Sequence, residues 1–333
     1  MKIKSLSNKN ILITGGTGSF GNKFVELTLK YQKPKKLVIF SRDEMKQWEM
    51  AKKFEKDKRV RFFLGDVRDK ARLNRALDGI DIVVHAAATK IVPTAEYNPF
   101  EAVKTNIFGC MNLIDVAIDR NISKVVALST DKASNPINLY GATKLAADKL
   151  FTASNAYSGY HNTKFSIVRY GNVMGSRGSI IPFFYEQSKK NIFTLTDKRM
   201  TRFMMTLDNA VRLVWKSIED MKGGEMYVVK APSMKVIDII HSFSKKPKIQ
   251  LIGIRPGEKI HEQMISIEES PYTYEYKDYF KILPQVSDNY KKYKVNKNNL
   301  APNNFFYRSD LNQKWMTKKQ LKDWLKKNYP YNI

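Results

Sequence analysis

The sequence predicts an α/β fold that is built on a parallel sheet and followed by a smaller α/β unit. Short runs of Val, Ile, Leu and Phe recur from Asn10 to about Val173, and each fits a strand that is buried on both faces. Stretches of helical length separate these runs, which is typical of parallel strands joined by right-handed crossovers. After Asn172 the alternation loosens, which indicates a change of architecture.

Six strands are predicted in the first part of the chain, at the sequences NILITGG, KLVIFSR, VRFFLGD, DIVVHAAA, KVVALST and FSIVRYGN. Helices are predicted between them, including residues 21–31, 68–77 and 99–120. Farther on, helices are predicted at 180–190, 207–221, 236–243 and 317–328, and short strands at EMYVVK and KIQLIGI. The predicted domains are 1–172 and 173–333, and the segment around 203–230 is expected to return to the first domain.

The composition is that of a globular protein with a sizeable core, because 43% of its 333 residues are hydrophobic. No run of about 18 apolar residues is present, so no membrane span is predicted. The first residues, MKIKSLSNKN, contain no apolar signal region, and a single cysteine, Cys110, excludes an internal disulfide framework. We therefore expect a cytoplasmic protein. The four histidines lack a paired ligand spacing, so no metal site is predicted.

The formal net charge of +26 has two interpretations. Such a charge would attract nucleic acid. Alternatively, the lysines are spread over solvated faces and have no common partner. The basic residues are dispersed, and no helix-turn-helix, RNA-binding or zinc-finger signature accompanies them. We therefore expect no nucleic-acid partner.

The segment TGGTGSFG follows the first predicted strand and opens a helix, as a dinucleotide-binding fingerprint requires. Gly15 permits a tight turn, Gly18 lets the backbone approach a pyrophosphate at the helix N-terminus, and Gly21 allows the helix to pack closely on the strand. The fingerprint predicts a Rossmann-like, doubly wound sheet. The predicted cofactor contacts of this loop are Gly15, Thr17, Gly18, Ser19, Phe20 and Gly21.

The tip of the second strand indicates which cofactor is bound. An NAD site would have an acidic residue at this tip for the ribose hydroxyls. Here Ser41 and Arg42 occupy the tip, and Lys46 follows one turn later. Because a hydroxyl and two cations suit a 2′-phosphate, the predicted cofactor is NADP. In the alternative, Asp43 turns inward and binds NAD, and Arg42 lies on the surface.

Two further segments are predicted to border the cofactor. Asp66 and Val67, after the third strand, match the adenine contact of this fold, although Asp66 or Asp69 also fits a helix N-cap. His85 ends the fourth strand and is interpreted as a structural residue. The small residues after it, beginning with Ala86, let the backbone run beside the cofactor.

A catalytic group is predicted after the fifth strand. Tyr140 and Lys144 are four residues apart and share one face of a helix, so the lysine cation favours the tyrosinate and lowers the pKa at which Tyr140 acts as a base. The triplet Thr130, Asp131 and Lys132 ends the strand at the carboxyl edge of the sheet, where ligands bind. A hydroxyl, a carboxyl and an amine beside such a tyrosine suit oxidation at one carbon and elimination at its neighbours.

These motifs together resemble the extended short-chain dehydrogenase/reductase family, and within it the inverting UDP-N-acetylglucosamine 4,6-dehydratases that begin pseudaminic acid synthesis. The resemblance runs from about residue 9 to residue 285, and its most specific part is TDK followed by NPINLYGATK. Sugar-nucleotide 4,6-dehydratases that retain configuration show Thr-Asp-Glu in place of this triplet. The membrane-anchored relatives have Met where this chain has Tyr140.

The resemblance implies a role for each residue of the catalytic group. Tyr140, assisted by Lys144 and Thr130, takes the proton of the carbon 4 hydroxyl while hydride passes to NADP. Lys132 then removes the carbon 5 proton, and Asp131 protonates the departing carbon 6 hydroxyl. An amine base at Lys132 requires a depressed pKa.

The resemblance also implies the substrate, UDP-N-acetylglucosamine, and a homo-oligomer, for which a hexamer is expected. The positions that match the family's substrate contacts are Lys90, Asn172, Arg202, Arg255 and Glu258. Arginines in this part of the chain suit a diphosphate, because guanidinium binds it bidentately.

Two other readings of the sequence stay open. A 4-epimerase or reductase of the same family would need Tyr140 and Lys144, but not Asp131 and Lys132 as an acid–base pair. A catalytically silent NADP-sensing regulator, or a basic nucleic-acid binder, would need none of them.

Overall fold

The computed structural model describes residues 3–285 and 290–329 of the chain; residues 1–2, 286–289 and 330–333, which belong to the predicted domains, lie outside this part. The strands are β1 Asn10–Thr14, β2 Lys36–Ser41, β3 Val60–Leu64, β4 Ile82–His85, β5 Lys124–Thr130, β6 Lys164–Tyr170, β7 Asn172–Val173, β8 Ile192–Leu195, β9 Thr201–Met205, β10 Met226–Val229, β11 Ser233–Lys235, β12 Lys248–Leu251, β13 Gln263–Ile265, β14 Thr273–Glu275, β15 Tyr279–Ile282 and β16 Tyr307–Arg308.

The α-helices are α1 Ser19–Tyr31, α2 Glu44–Phe54, α3 Lys70–Ala76, α4 Val92–Tyr97, α5 Pro99–Val103, α6 Gly109–Asp119, α7 Leu139–Tyr157, α8 Ile180–Ser188, α9 Leu207–Asp220, α10 Val236–Phe243 and α11 Lys318–Asn328. A π-helical segment, Lys104–Phe108, joins α5 to α6 without a break. None of the helices in the described part has the length and apolar character that crossing a bilayer requires.

The main sheet has nine strands in the order β14-β15-β10-β6-β5-β4-β1-β2-β3. From β10 to β3 all neighbours are parallel, whereas β15 runs antiparallel to β10 and β14. The apolar runs predicted as strands fill its centre, since four of the five residues of β1 and six of the seven of β5 are buried. The Rossmann-like parallel sheet predicted from the sequence is therefore confirmed.

Helices cover both faces of the main sheet. On one face α1 packs against α9, and on the other α7 packs against α6, which packs against α3. The apolar positions of α9 recur at helical spacing and are buried, among them Val211, Val214 and Trp215. The Trp215 indole N–H donates to the Thr28 hydroxyl of α1 at 3.2 Å. The segment after Asn172 thus supplies a strand, β10, to the main sheet and a helix, α9, to one of its faces.

The remaining elements form a smaller unit above the carboxyl edge of the main sheet. It contains the three-stranded sheet β11-β9-β7 and the pair β12-β8, and its core lies among α8, α10 and α11. The strands β14 and β15 differ from the predicted division, because they extend the main sheet although their sequence lies in the range 173–333. Their tyrosine-rich, charged sequence, TYEYKDYFKI, lacks the continuous apolar run that identified the other strands.

Candidate active site

A cavity of about 670 Å³ opens at the carboxyl edge of the main sheet, between the sheet and the smaller unit. Each segment that follows β1, β2, β3, β4, β5 and β6 contributes to its wall. The lining residues are 15, 17–21, 40–43, 46, 65–67, 86–88, 90–93, 105, 128–132, 140, 144, 170–173, 176–179 and 207. All of the predicted cofactor contacts and all five predicted catalytic residues belong to this set.

The glycine loop between β1 and α1 has the shape that a phosphate cradle requires. Gly15 has a φ of 63°, and a Cβ there would lie 2.8 Å from the backbone of Ala87. A Cβ at Gly21 would lie 2.2 Å from the Gly16 carbonyl oxygen, so only glycine lets α1 begin this close to β1. Gly18 precedes the first turn of α1, whose N–H groups have no partner within the helix and whose residues 19–21 line the cavity. The loop therefore fits a dinucleotide pyrophosphate.

The tip of β2 presents Ser41 and Arg42 to the cavity, as the sequence predicts. Asp43 instead caps α2, because its carboxylate accepts the Lys46 N–H at 2.9 Å and pairs with the Lys46 ammonium. The hydrogen bond from Lys46 holds the pKa of Asp43 below its usual value. Gln47, which the sequence analysis missed, fixes the tip by donating to the Ser41 carbonyl at 2.9 Å and to its hydroxyl at 3.1 Å.

Asp66 and Val67 line the same end of the cavity. The Asp66 carboxylate accepts from Arg68, with Nη2 at 2.7 Å, and lies 3.7 Å from the Arg42 guanidinium. Burial raises the pKa of Asp66, but the hydrogen bonds from Arg68 outweigh it and leave the pKa below its usual value. The N-cap of α3 is Asp69, which accepts the Arg72 N–H at 2.8 Å. Of the two N-caps left open by the sequence, the structure thus has Asp69.

His85 is buried behind the cavity and is not among its lining residues. Its Nδ1 lies 2.8 Å from the Thr14 hydroxyl and its Nε2 lies 3.4 Å from the Cys110 sulfur. Burial lowers the pKa of His85 to about 3, and the Lys144 cation adds to this effect. The side chain is therefore neutral and joins β1, β4 and α6.

The catalytic group forms where β5 turns into α7. After Thr130 the chain makes a short 3₁₀ turn, and Asn138 caps α7 by accepting the Gly141 N–H at 2.8 Å. A Cβ at Gly141 would lie 2.3 Å from the Lys132 carbonyl oxygen. The glycine that follows Tyr140 therefore lets the turn that carries Lys132 rest directly on the helix that carries the tyrosine.

Tyr140 and Lys144 are buried, with 9% and 4% of their surfaces exposed, and both line the cavity. The Lys144 ammonium donates to the Leu128 carbonyl at 2.7 Å. Burial raises the pKa of Tyr140 to about 12, although the Lys132 cation and a hydrogen bond from Thr130 act in the opposite direction. The expectation that the lysine would lower this pKa is wrong for the protein alone, because loss of hydration exceeds the effect of the nearby cations.

Asp131 and Lys132 form an ion pair in which the Asp131 side chain is buried and the Lys132 side chain is 25% exposed. Lys132 Nζ lies 3.2 Å from Asp131 Oδ1, which also accepts the Thr130 hydroxyl at 2.9 Å. Burial raises the pKa of Asp131, as a carboxyl that acts as an acid requires. Burial alone would lower the pKa of Lys132, but the charges of Asp131 and Glu262 outweigh it and raise that pKa above its usual value. The depressed pKa expected for Lys132 is therefore wrong for the protein alone.

Glu262 is a site residue that the sequence analysis missed. It is 3% exposed, and its Oε1 lies 3.4 Å from Lys132 Nζ and 3.6 Å from Arg202 Nε. Burial raises its pKa, but the charges of Lys132 and Arg202 outweigh this and keep it below its usual value. Glu262 is thus a second buried carboxylate, besides Asp131, that pairs with Lys132.

Several buried oxygens have no hydrogen-bond partner within residues 3–285 and 290–329. Among them are Asp131 Oδ2, Asn172 Oδ1 and Glu262 Oε2. Buried polar atoms in native proteins are normally paired. Because Asp131 and Asn172 line the cavity, these atoms fit a polar ligand that is held there.

The predicted substrate contacts divide into two groups. Lys90 and Asn172 line the cavity, whereas Arg202, Arg255 and Glu258 are not among its lining residues. The Arg202 guanidinium donates to carbonyl groups at 201, 259 and 260, at 2.8 to 3.1 Å. Arg255 and Glu258 pair with each other at 2.9 Å on a partly exposed loop. The substrate role of these three residues stays a prediction.

Among the residues that the structure describes, no group of three or more metal-ligating side chains occurs. The charged groups at this site are instead lysine and arginine cations paired with carboxylates. They suit anionic ligands such as phosphates.

Comparison with known proteins adds to this geometry. The model of a family described as "Polysaccharide biosynthesis protein" matches residues 11–284. The chain is 48% identical to a UDP-N-acetylglucosamine 4,6-dehydratase (inverting) of Campylobacter jejuni, over 95% of this chain and 97% of the relative. It is 41% identical to a UDP-glucose 4-epimerase of Rickettsia canadensis, over 86% and 87% of the two chains. The resemblance to inverting dehydratases that the motifs predict is therefore confirmed.

Among solved structures, Pen from Bacillus thuringiensis has the same architecture. The two align with a TM-score of 0.89 and 39% identity, over 97% of this chain and 98% of the other. The alignment covers the main sheet and the smaller unit together.

Proposed function

This chain belongs to the polysaccharide biosynthesis protein family, and we propose that within it the protein is an inverting 4,6-dehydratase of UDP-N-acetylglucosamine. The observation that carries the proposal is the meeting of two groups in one cavity. Tyr140 and Lys144 suit oxidation at a carbinol carbon, and the Asp131–Lys132 ion pair suits elimination of water. The identity with the Campylobacter enzyme supports the same assignment.

The cofactor that the site supports best is NADP. The glycine loop, Ala86 and Val67 would hold the dinucleotide, while Ser41, Arg42 and Lys46 would hold its 2′-phosphate. The N-cap role of Asp43 supports NADP over NAD, because this carboxylate is already engaged by Lys46. When bound there, the dinucleotide would supply the hydride acceptor for carbon 4 of the sugar and the hydride donor for carbon 6.

In the first step Tyr140 takes the proton of the carbon 4 hydroxyl. Its high pKa in the buried site makes the phenol a poor base alone, so the step requires added positive charge near the oxygen. The Lys132 cation and the Thr130 hydroxyl both favour the tyrosinate. The Lys144 ammonium, which donates to the Leu128 carbonyl near the end of β5, is a further cation at the site.

Elimination requires an amine and a carboxylic acid, and the Asp131–Lys132 pair reaches this form by moving one proton. Transfer from Lys132 Nζ to Asp131 Oδ1, over 3.2 Å, turns the ion pair into a neutral base and a neutral acid. The amine then takes the carbon 5 proton, the acid protonates the carbon 6 hydroxyl, and the C6–O bond breaks to release water. The same ion pair is restored. The raised pKa of Asp131 favours this transfer, whereas the raised pKa of Lys132 opposes it, so the transfer requires a bound ligand that changes the charges around Lys132.

The product is a 4-keto-6-deoxy sugar nucleotide. Once carbon 6 has regained a hydride, a proton from water reaches carbon 5 on the opposite face and inverts that centre. Tyr140 releases to solvent the proton that it took from the carbon 4 hydroxyl, so the protons balance. As the resemblance implies, we assign the product to pseudaminic acid synthesis in the cytoplasm.

An oligomer belongs to the same proposal. The helices α4 and α5 and the π-helical segment leave aromatic side chains in solvent; Tyr97 is 89% exposed and Phe100 is 78% exposed. A second copy that covers this apolar surface would account for it, since monomers rarely leave such patches open. A hexamer is the expected state.

The direct test is proton NMR of the purified protein with UDP-N-acetylglucosamine in deuterium oxide. We expect the methyl signal of a 6-deoxy-4-keto sugar. This signal should show no coupling to a proton on carbon 5, because that carbon takes up deuterium. The product should have the L-arabino configuration. If the D-xylo product forms from the outset, the enzyme does not invert carbon 5. If UDP-N-acetylglucosamine is not consumed, it is not the substrate.

A second candidate, a UDP-sugar 4-epimerase, is favoured by one observation, the 41% identity with the Rickettsia enzyme. Asp131→Asn separates the two, since an epimerase does not need this carboxyl. We expect the variant to lose roughly 100-fold or more of its turnover rate. The control is Asp115→Asn, which removes an exposed carboxylate paired with Lys70. Full activity of the Asp131 variant, with inversion at carbon 4, would establish the epimerase.

A further inference from the structure

A short loop of the smaller unit, residues 175–179, reaches across the cavity mouth to the glycine loop. The Arg177 N–H donates to the Ser19 hydroxyl at 3.0 Å, and its guanidinium Nη2 donates to the Thr17 carbonyl at 2.5 Å. On the other side, Lys90 Nζ donates to the Arg177 carbonyl at 2.9 Å. We call residues 175–179 the strap. It touches both walls of the cofactor end of the cavity.

The strap brings a third cation to the tip of β2. Arg42 and Lys46 are already there, and the charge of Arg177 reaches Asp43. Asp43 is engaged by Lys46, and Asp66, which lies 3.7 Å from Arg42, is already engaged by Arg68. Arg42 and Arg177 therefore remain able to bind a further anion at this tip. Within the described residues the Arg177 guanidinium makes one hydrogen bond, to Thr17, which leaves further N–H donors for a ligand.

The direction of the Arg177 side chain indicates which of two anionic ligands it would bind, the cofactor or the sugar nucleotide. The guanidinium of Arg177 lies on the glycine loop and near Asp43, which is the cofactor side. The substrate-side residues are reached from the strap by its backbone, through Lys90. A planar guanidinium matches the geometry of a phosphate and binds it bidentately.

We propose that Arg177 binds the 2′-phosphate of NADP together with Arg42 and Lys46, so that the smaller unit itself selects and retains the cofactor. This inference rests on the proposed function. It follows that the cofactor leaves only when the strap leaves the glycine loop. Such retention suits a reaction in which the same hydride is taken and returned within one turnover.

The test measures cofactor binding rather than activity. Dissociation constants for NADP⁺ and for NAD⁺ are measured by calorimetry for the wild type and Arg177→Ala, and the release rate of NADPH is followed by its fluorescence. We expect NADP⁺ to bind roughly 10- to 100-fold more weakly to the variant, while NAD⁺ changes by less than about 3-fold. Arg177→Lys keeps the charge but loses the planar fork, so its affinity for NADP⁺ should be intermediate.

Arg75→Ala is the matched control. Arg75 is an exposed arginine in the last turn of α3, at the sheet edge opposite the cavity, and it should bind both cofactors as the wild type does. The Arg177 side chain is exposed as well, so neither variant should unfold.

Each other outcome overturns a separate statement. If NADP⁺ and NAD⁺ both bind equally more weakly to the variant, Arg177 binds a phosphate that the two cofactors share. This result would exclude the 2′-phosphate as its ligand. Unchanged binding of both cofactors, or weaker binding of UDP alone, would remove Arg177 from the cofactor site. If the wild-type protein binds neither cofactor, the proposed function itself fails.

Discussion

Tyr140, Asp131 and His85 are buried at or behind the cavity, and for each of them loss of hydration is the largest influence on the pKa. The result is that burial favours the neutral form of each, while the Lys132 cation holds Asp131 as a carboxylate in the protein alone. The raised pKa of Asp131 prepares this carboxyl to accept a proton and later to donate it, whereas a base at Tyr140 needs added positive charge near its oxygen.

His85 makes the stability of the protein depend on pH. Its folded pKa is about 3, against an unfolded value of 6.5, so between these values the unfolded chain binds the extra proton. The neutral side chain stabilises the fold fully above pH 6.5, and this contribution is lost as the pH falls. From pH 7 to pH 5 we expect His85 to account for a loss of about 2 kcal/mol in the free energy of unfolding.

Urea unfolding of the wild type and His85→Asn at both pH values checks this. The variant should lose stability less steeply on acidification, whatever its stability at pH 7. His241→Asn, in α10, is the control. Parallel pH dependence of the wild type and His85→Asn would contradict the assignment.

Single residues also show how far the sequence is informative. That the predicted cofactor contacts and catalytic group would line one cavity was predictable, because they follow strand ends in contiguous motifs. Glu262 was not, since it lies 130 residues from Lys132 and joins it only through the fold. The pKa values of Tyr140 and Lys132 were also mispredicted, because burial and a distant carboxylate determine them.

Among the elements, the π-helical segment Lys104–Phe108 has a specific task. It carries Asn106, which is 1% exposed. Its amide accepts the Thr89 N–H at 2.8 Å, donates to the Thr89 carbonyl at 2.9 Å and donates to the Thr143 hydroxyl at 3.0 Å. One side chain therefore ties the segment before Lys90 to the helix that carries Tyr140.

Asn106→Ala should destabilise the protein by about 1–3 kcal/mol, because it leaves the partly buried Thr89 backbone groups without these partners. It should also lower kcat/KM, since Lys90 and Tyr140 lose their common support. Chemical denaturation and steady-state kinetics measure the two effects. Asn98→Ala, which removes one exposed hydrogen bond to Thr94, is the control. Equal stability of the two variants would exclude the role given to Asn106.

The helices show the same division between local and distant information. The helix predicted at 236–243 has these bounds, and the one predicted at 207–221 ends one residue earlier. Apolar spacing and caps are local signals, so they are visible in the sequence. The π-helical turn inside the predicted helix 99–120 is not visible, because it depends on contacts with Thr89 and Thr143.

At the scale of the whole molecule, the chain returns to the main sheet after it has begun the smaller unit. The helix α9 covers α1 and the strands β5 and β6, and β10 pairs with β6. The sequence analysis expected a return around residues 203–230, but it did not assign β14 and β15 to the sheet. The two predicted domains are therefore not independent in structure.

Residues 1–172 should consequently fail to fold alone. This fragment lacks α9, so it exposes the apolar faces of α1 and the sheet, and it leaves β6 as an open edge. We expect no cooperative thermal transition by circular dichroism, and aggregation, whereas the full chain unfolds cooperatively. A cooperative transition in the fragment would mean that α9 and β10 are dispensable.

Cys110 has a practical consequence. It is the single cysteine of the sequence, it is 1% exposed, and burial raises its pKa to about 11. Maleimide and disulfide reagents should leave the native protein unmodified for this reason. One cysteine introduced at an exposed position, such as Lys198→Cys, would then carry a fluorophore or spin label at a single defined place without removal of the natural thiol.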